Sequence, residues 1–154
     1  MRKLKTLDGS RFWGNTRRRP MKIHHIAIAV ANLEDALTFY QDALGAEVGE
    51  RREVEEEGVE IAFLPMGDSE IELLRPLDPG NPIGRFIEKR GEGIHHICLA
   101  VEDIEGTIHQ LEAQGARMAT EIRSHPDGTR YAFIHPKSAR GVLIELYERP
   151  STSG

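Results

Sequence analysis

Two histidine pairs, His24-His25 and His95-His96, stand 71 residues apart, and each opens a short apolar run. The first run reads KIHHIAIAV (22–30) and the second GIHHICLAV (93–101). Two glutamates recur in the same way: Glu72 in EIELL (70–74) and Glu145 in VLIELY (142–147), each flanked by aliphatic residues. Side chains alternate faces along a strand. His25 therefore shares a face with Ala27 and Ala29, opposite Ile26, Ile28 and Val30. His96 likewise sides with Cys98 and Ala100, opposite Ile97, Leu99 and Val101. A packed helix takes the bulky aliphatic face, and a face of small residues leaves room for a cavity. If the aliphatics beside Glu72 and Glu145 also face helices, both glutamates share the surface of His25 and His96. Two imidazoles and two carboxylates form a hard-to-borderline donor set. It suits Mn²⁺, Co²⁺, Ni²⁺, Fe²⁺ or Zn²⁺, with positions left for water or substrate. One histidine on a half-exposed strand usually binds nothing; equivalent placement in two copies is what carries this reading. His24 and His95 fall on the aliphatic side and are expected to be structural, capped by backbone or solvent. Cys98, the sole cysteine, excludes an intrachain disulfide and is expected to be a small packing residue.

The elements that position these residues follow from an internal repeat. HHIAIAVANLEDALTFYQDALGA (24–46) aligns with HHICLAVEDIEGTIHQLEAQGA (95–116), and IAFLPMGDSEIELL (61–74) with YAFIHPKSARGVLIELY (131–147). In the first copy the pattern predicts a strand over 23–30. A helix follows, capped by Asn32, carrying Leu33, Ala36, Leu37, Tyr40 and Leu44 on one face and ending at Gly45. Strands are predicted near 46–54, 58–65 and 69–75. In the second copy a strand over 94–101, a helix over 103–114 and strands near 116–123, 129–135 and 142–148 are predicted. The PDG at 126–128 is a turn signal. Asn81-Pro82 predicts a short helix over about 82–90. The fold class is α+β: one domain over 21–150 made of tandem βαβββ modules, about 22–76 and 93–148.

Composition bounds the rest. The chain has 154 residues, 39% hydrophobic, with a net charge of −5. That length suits one compact domain or two small fused halves. No apolar run approaches the roughly 20 residues of a membrane span. The acidic balance argues against non-specific nucleic-acid binding. Residues 1–20 hold seven Lys or Arg and one Asp. They are expected to be a disordered extension, since Met21 directly precedes the first strand; an organelle transit peptide is the alternative. A cytoplasmic location is compatible with the single cysteine.

The stretches IHHIAIAVANLEDALTFYQDALG, NPIGRFIEKRGEGIHHICLAVEDI and HPKSARGVLIEL resemble the vicinal oxygen chelate superfamily, and within it the methylmalonyl-CoA epimerase family. The resemblance implies a cupped mixed sheet of paired βαβββ modules and about one divalent metal ion (Co, Mn, Ni, Zn or Fe) per chain, cobalt favoured. The family's metal-ligand pattern falls on His25, Glu72, His96 and Glu145; some relatives have Gln at the position of Glu72. Its proton-transfer carboxylates fall on Glu60, in GVEIAFL, and on Glu145. Glu60 alternates with Val59 and Ile61 and is expected to face the cavity; the competing reading is one more solvated charge after EVEEEG. The implied activity is interconversion of (R)- and (S)-methylmalonyl-CoA by removal of the α proton through a metal-stabilised enolate, in a homodimer. Glyoxalase I, a lactoylglutathione lyase with a similar ligand set, is the rival reading. The chain reads HIAIAV where that enzyme commonly carries a glutathione-binding arginine. A metal-free, antibiotic-sequestering member of the fold is a third reading, and the full ligand set argues against it.

Overall fold

The computed structural model describes residues 21–151, so the basic segment 1–20 lies outside the described residues. Strand β1 (Lys22–Ala29) is followed by helix α1 (Leu33–Leu37), whose N-cap Asn32 accepts the Asp35 amide through its side chain at 3.0 Å. The periodicity predicts a continuous helix to Leu44, but from Thr38 to Ala43 the chain widens into a π-helix. There the Leu44 amide reaches the Phe39 carbonyl at 2.8 Å, five residues back. Gly45 ends the segment at φ 81°. Strands β2 (Glu50–Val54), β3 (Val59–Met66) and β4 (Ser69–Pro76) complete the first half. Helix α2 (Pro82–Arg90) links to β5 (Gly93–Ala100), α3 (Ile104–Ala113), β6 (Arg123–Ser124), β7 (Arg130–Ile134) and β8 (Ile144–Glu148).

The eight strands form one sheet in the order β2-β3-β4-β1-β5-β8-β7-β6. β1 runs parallel to β4, β5 runs parallel to β8, and β1 and β5 pair antiparallel at the centre. Each half thus presents the same strand order outward from the middle. α1 packs on the outer face through Leu33 and Leu37 against Ala62, Leu64 and Leu73. α3 repeats this with Ile104 against Ala132, Ile134 and Leu146.

Two predicted strands are shorter than expected, for backbone reasons. Ala46 donates its amide to the Tyr40 carbonyl at 2.9 Å, closing the helix end rather than joining the sheet, and β2 starts only at Glu50. In 116–123 the amides of Ala119 and Thr120 converge on the one Phe133 carbonyl, while the Thr120 hydroxyl accepts the Phe133 amide at 3.0 Å. The ladder is spoiled there, leaving a lone bridge from Met118 to Ile134 and the two-residue β6.

On the inner face, the small residues of β1 do not all leave space. Ala27 and Ala29 are fully buried with Val59, Ile61, Leu74 and Ile83 of α2, and Phe86 and Ile87 of α2 pack against the same cluster. α2 therefore closes one end of the cup. No helix among the described residues is long and apolar enough to cross a membrane.

Asn81 fastens α2 to the β2–β3 turn. Its Oδ1 accepts the Gly84 amide at 2.9 Å and its Nδ2 donates to the Gly58 carbonyl at 2.6 Å. Losing a cap and a hydrogen bond together, Asn81→Ala is expected to lower stability by about 1–3 kcal/mol, read as a lower urea midpoint with unchanged slope. A midpoint equal to wild type would remove this tether from the account.

Candidate metal centre

The four central strands each deliver one donor to the inner face: Glu72 from β4, His25 from β1, His96 from β5 and Glu145 from β8. Register brings them level. Ala27 of β1 lies opposite both Glu72 and His96, and Cys98 of β5 lies opposite both His25 and Glu145. All four side chains are buried. His25 Nε2 lies 3.0 Å from Glu72 Oε2, 3.2 Å from His96 Nε2 and 3.5 Å from Glu145 Oε2; His96 Nε2 lies 2.9 Å from Glu145 Oε2.

These separations fit a shared ion. Bonds of about 2.1 Å place neighbouring donors roughly 3.0 Å apart in an octahedron and roughly 3.4 Å apart in a tetrahedron. Two triads whose potential donor atoms lie within 4.8 Å of one another share His25: His25, His96 and Glu145, and His25, Glu70 and Glu72. Glu70 was not expected here, although its two-residue spacing from Glu72 was a signal that both share a face. A third group, His24, His25 and Cys98, also lies close together. Burial pushes the Cys98 thiol up to about 12, so it stays protonated and is a poor ligand.

His24 and His95 are not capped by backbone or solvent, as alternation suggested. His24 Nδ1 lies 2.7 Å from His25 Nδ1, and His95 Nδ1 lies 2.8 Å from His96 Nδ1. Burial, with the neighbouring histidine adding, lowers His24 and takes His95 down to about 4, so both rings are neutral. A neutral ring accepting at Nδ1 fixes its neighbour's proton on Nδ1. That leaves Nε2 of His25 and His96 directed at the carboxylates and free to coordinate. His24 is stacked on Tyr147 at 4.4 Å, and His95 meets Phe86 edge-on at 5.0 Å.

Glu60 does not join the donors. It pairs across the ladder with Arg75, whereas Glu72 pairs with Phe63. Opposed residues share a face, so Glu60 lies on the outer side. Arg75 Nε donates to its Oε1 at 3.0 Å, and Arg51 bridges it to Glu34 of α1. The second half repeats this tie with charges exchanged: Arg130, the counterpart of Glu60, bonds Glu148 at 2.8 Å and Glu105 of α3 at 2.7 Å. Both sites fasten a helix to the outer face. The alternation with Val59 and Ile61 misled because those residues are themselves buried on the inner face by α2.

Burial opposes charge on His25, but hydrogen bonds to Cys98, Glu145 and Glu72 outweigh it and raise the imidazole well above its ordinary 6.5. Burial opposes charge on Glu145 too, yet His25 and His96 hold it down at about 2. For Glu70, burial and then the charge of Glu72 raise the carboxyl. In metal-free protein the raised His25 stabilises fully below pH 6.5 and loses this as pH rises through its folded value. The lowered Glu145 stabilises above pH 4.5 and loses this as pH falls toward about 2. Chelator-treated protein should therefore gain most from the cluster between pH 4.5 and 6.5, with its thermal midpoint falling toward pH 2. Glu145→Gln should flatten that acid limb. An equally steep limb in the variant would show that Glu145 does not control it.

Residues 24–133 match the family model described as the glyoxalase/bleomycin resistance protein/dioxygenase superfamily. The ethylmalonyl-CoA/methylmalonyl-CoA epimerase of Cereibacter sphaeroides is 42% identical, over 81% of this chain and 96% of that protein. The human mitochondrial methylmalonyl-CoA epimerase is 39% identical, over 81% of this chain and 72% of that protein. The crystal structure of methylmalonyl-CoA epimerase from Mycobacterium tuberculosis superposes with a TM-score of 0.73 at 37% identity, covering 84% of this chain and 88% of that one. A probable chloroplastic lactoylglutathione lyase of Arabidopsis thaliana stands further off, at 27% identity over 41% of its length. With this similarity and a buried donor set on the four central strands, the chain belongs to the methylmalonyl-CoA epimerase family of the glyoxalase/bleomycin resistance superfamily.

Proposed function

We infer that this chain is a metal-dependent epimerase that interconverts (R)- and (S)-methylmalonyl-CoA. The observation that carries the reading is the convergence of His25, Glu72, His96 and Glu145 within hydrogen-bonding distance in a buried cup. Kinship with epimerases supports the substrate. In this reading the four side chains hold one divalent ion, with cobalt the favoured choice among Co, Mn, Ni, Zn and Fe. The enzyme works as a homodimer in the cytoplasm.

The chemical obstacle is the weak acidity of the substrate's α C–H bond. It lies roughly a dozen or more pKa units above a carboxylic acid, at about 1.36 kcal/mol per unit. When bound, a divalent ion supplies Lewis acidity toward the thioester and carboxylate oxygens on either side of that carbon. The protein contributes orientation. His24 and His95 hold the ligand rings through Nδ1, and Phe133 covers His96 edge-on at 5.5 Å. Glu145 serves as proton carrier on one face of the α carbon in addition to its ligand role. Inversion needs a second carrier on the other face.

Protein purified with its native metal should contain about one divalent ion per chain, and His96→Ala should lose most of it. Equal metal content in the two proteins would sink the assigned site. Wild type should incorporate solvent deuterium at the α carbon of methylmalonyl-CoA, faster with added Co²⁺, and should leave the methylglyoxal–glutathione adduct unchanged. The reverse pattern would favour a glyoxalase.

A further inference from the structure

Four side chains fill four positions around an ion, and the two substrate oxygens need two more, so an octahedral site is complete only with substrate bound. We propose that Glu70 is a displaceable fifth donor, which fills one of those two positions in the substrate-free chain and yields it to the substrate's carboxylate. This deepens the preceding reading and rests on it.

Glu70 shares the inner face of β4 with Glu72, two residues away. It is paired with His25 in the parallel β1–β4 ladder. Ser69 Oγ donates to the Ile23 carbonyl at 2.6 Å, which pins the start of β4 against β1 at this point. A carboxylate oxygen of Glu70 lies within 4.8 Å of donor atoms of both His25 and Glu72. Opposite donors around one ion stand about 4.2 Å apart when each bond is about 2.1 Å. Rotation about the three side-chain torsions of Glu70 covers the difference.

Its carboxylate is uncommitted. Among the described residues it has no hydrogen bond and no ion pair. Glu72, by contrast, faces His25 Nε2 at 3.0 Å, and Glu145 faces His96 Nε2 at 2.9 Å. A half-buried carboxylate beside a second one is disfavoured until the two share a cation. The repeat also sets Glu70 apart. Ile71, Glu72 and Leu73 match Ile144, Glu145 and Leu146, so the counterpart of Glu70 is Leu143. The repeated pattern accounts for four donors, and Glu70 is an addition to one half only.

The exchange balances in bonds and in charge. One carboxylate–metal bond breaks as Glu70 withdraws, and one forms to the substrate's carboxylate. Glu72 and Glu145 match a divalent charge; the third carboxylate is Glu70 before binding and the substrate's own afterwards. Glu70 is only half-buried and has room to swing outward. Because it competes with substrate for one position, whatever it adds to ion affinity returns as an equal penalty on substrate binding.

The test uses the full chain, stripped by chelator and titrated with Co²⁺ alone against a chromophoric competitor. Glu70→Gln should weaken Co²⁺ binding about tenfold and change the visible absorption of the bound ion. With Co²⁺ saturating, methylmalonyl-CoA at its enantiomeric equilibrium should bind this variant about tenfold more tightly than wild type, and the two absorption spectra should then coincide. Glu70→Asp keeps the charge but loses one methylene of reach, so it should behave like Glu70→Gln. Wild-type Co²⁺ affinity and absorption in Glu70→Gln would overturn the proposal. So would an Asp variant indistinguishable from wild type, since charge alone would then suffice. A wild-type chain that fails to interconvert the enantiomers would instead overturn the epimerase reading, and with it the exchange, whatever Glu70 does to Co²⁺ binding.

Discussion

The fold is organised around a cost: two imidazoles and two carboxylates are buried together at the centre of a sheet. An isolated buried carboxylate is strongly disfavoured, and a buried pair is tolerated only when its remaining polar atoms are satisfied. Here each carboxylate faces a histidine Nε2, and each histidine Nδ1 faces a second histidine. No buried side-chain nitrogen or oxygen among the described residues lacks a partner. The ring pairs matter as much as the donors. Without His24 and His95 in neutral form, Nδ1 of His25 and His96 would have no acceptor, and the direction of Nε2 would not be set.

Duplication makes this arrangement affordable in chain length. One module supplies a histidine on its first strand and a glutamate on its last. Antiparallel pairing of the two first strands doubles the set with no further invention. The outer face follows the same rule with charges exchanged, Glu60 to Arg75 in one half and Arg130 to Glu148 in the other. A charge-reversed pair keeps its Coulomb attraction, so drift between the copies is tolerated on that face. On the inner face the copies diverge where asymmetry has a use. α2 packs on the first half's inner cluster through Ile83, and of the two edge turns one sets Glu57 against His125 while the other uses Asp127 to accept its own Thr129 amide.

Much of this was legible in the linear chain. The repeated His-His and Ile-Glu-Leu steps identified His25, Glu72, His96 and Glu145, because a strand's period of two separates its faces without reference to any neighbour. Caps at Asn32 and Asn81 and the glycine after α1 were equally local. Failures came where both faces of a strand are buried. In VEIAFL, Val59, Ile61 and Phe63 face inward while Ala62 and Leu64 face outward, so hydrophobicity gave no hint of which side Glu60 takes. The shortened strands failed for a related reason, since amides of Ala46 and Ala116 are drawn into helix ends.

The sequence by itself determined the repeated strand–helix pattern, the α+β class and the shared face of His25, Glu72, His96 and Glu145, because each rests on periodicity or local capping. Tertiary structure alone decided three things. Cross-strand register placed Glu60 opposite Arg75 and hence outside the cup. Ring packing turned His24 and His95 from apparent scaffold into partners of His25 and His96. Curling of the sheet brought Glu57 to His125 across 68 residues of chain. Register, ring contacts and curvature are relations between strands, and no single strand's pattern contains them.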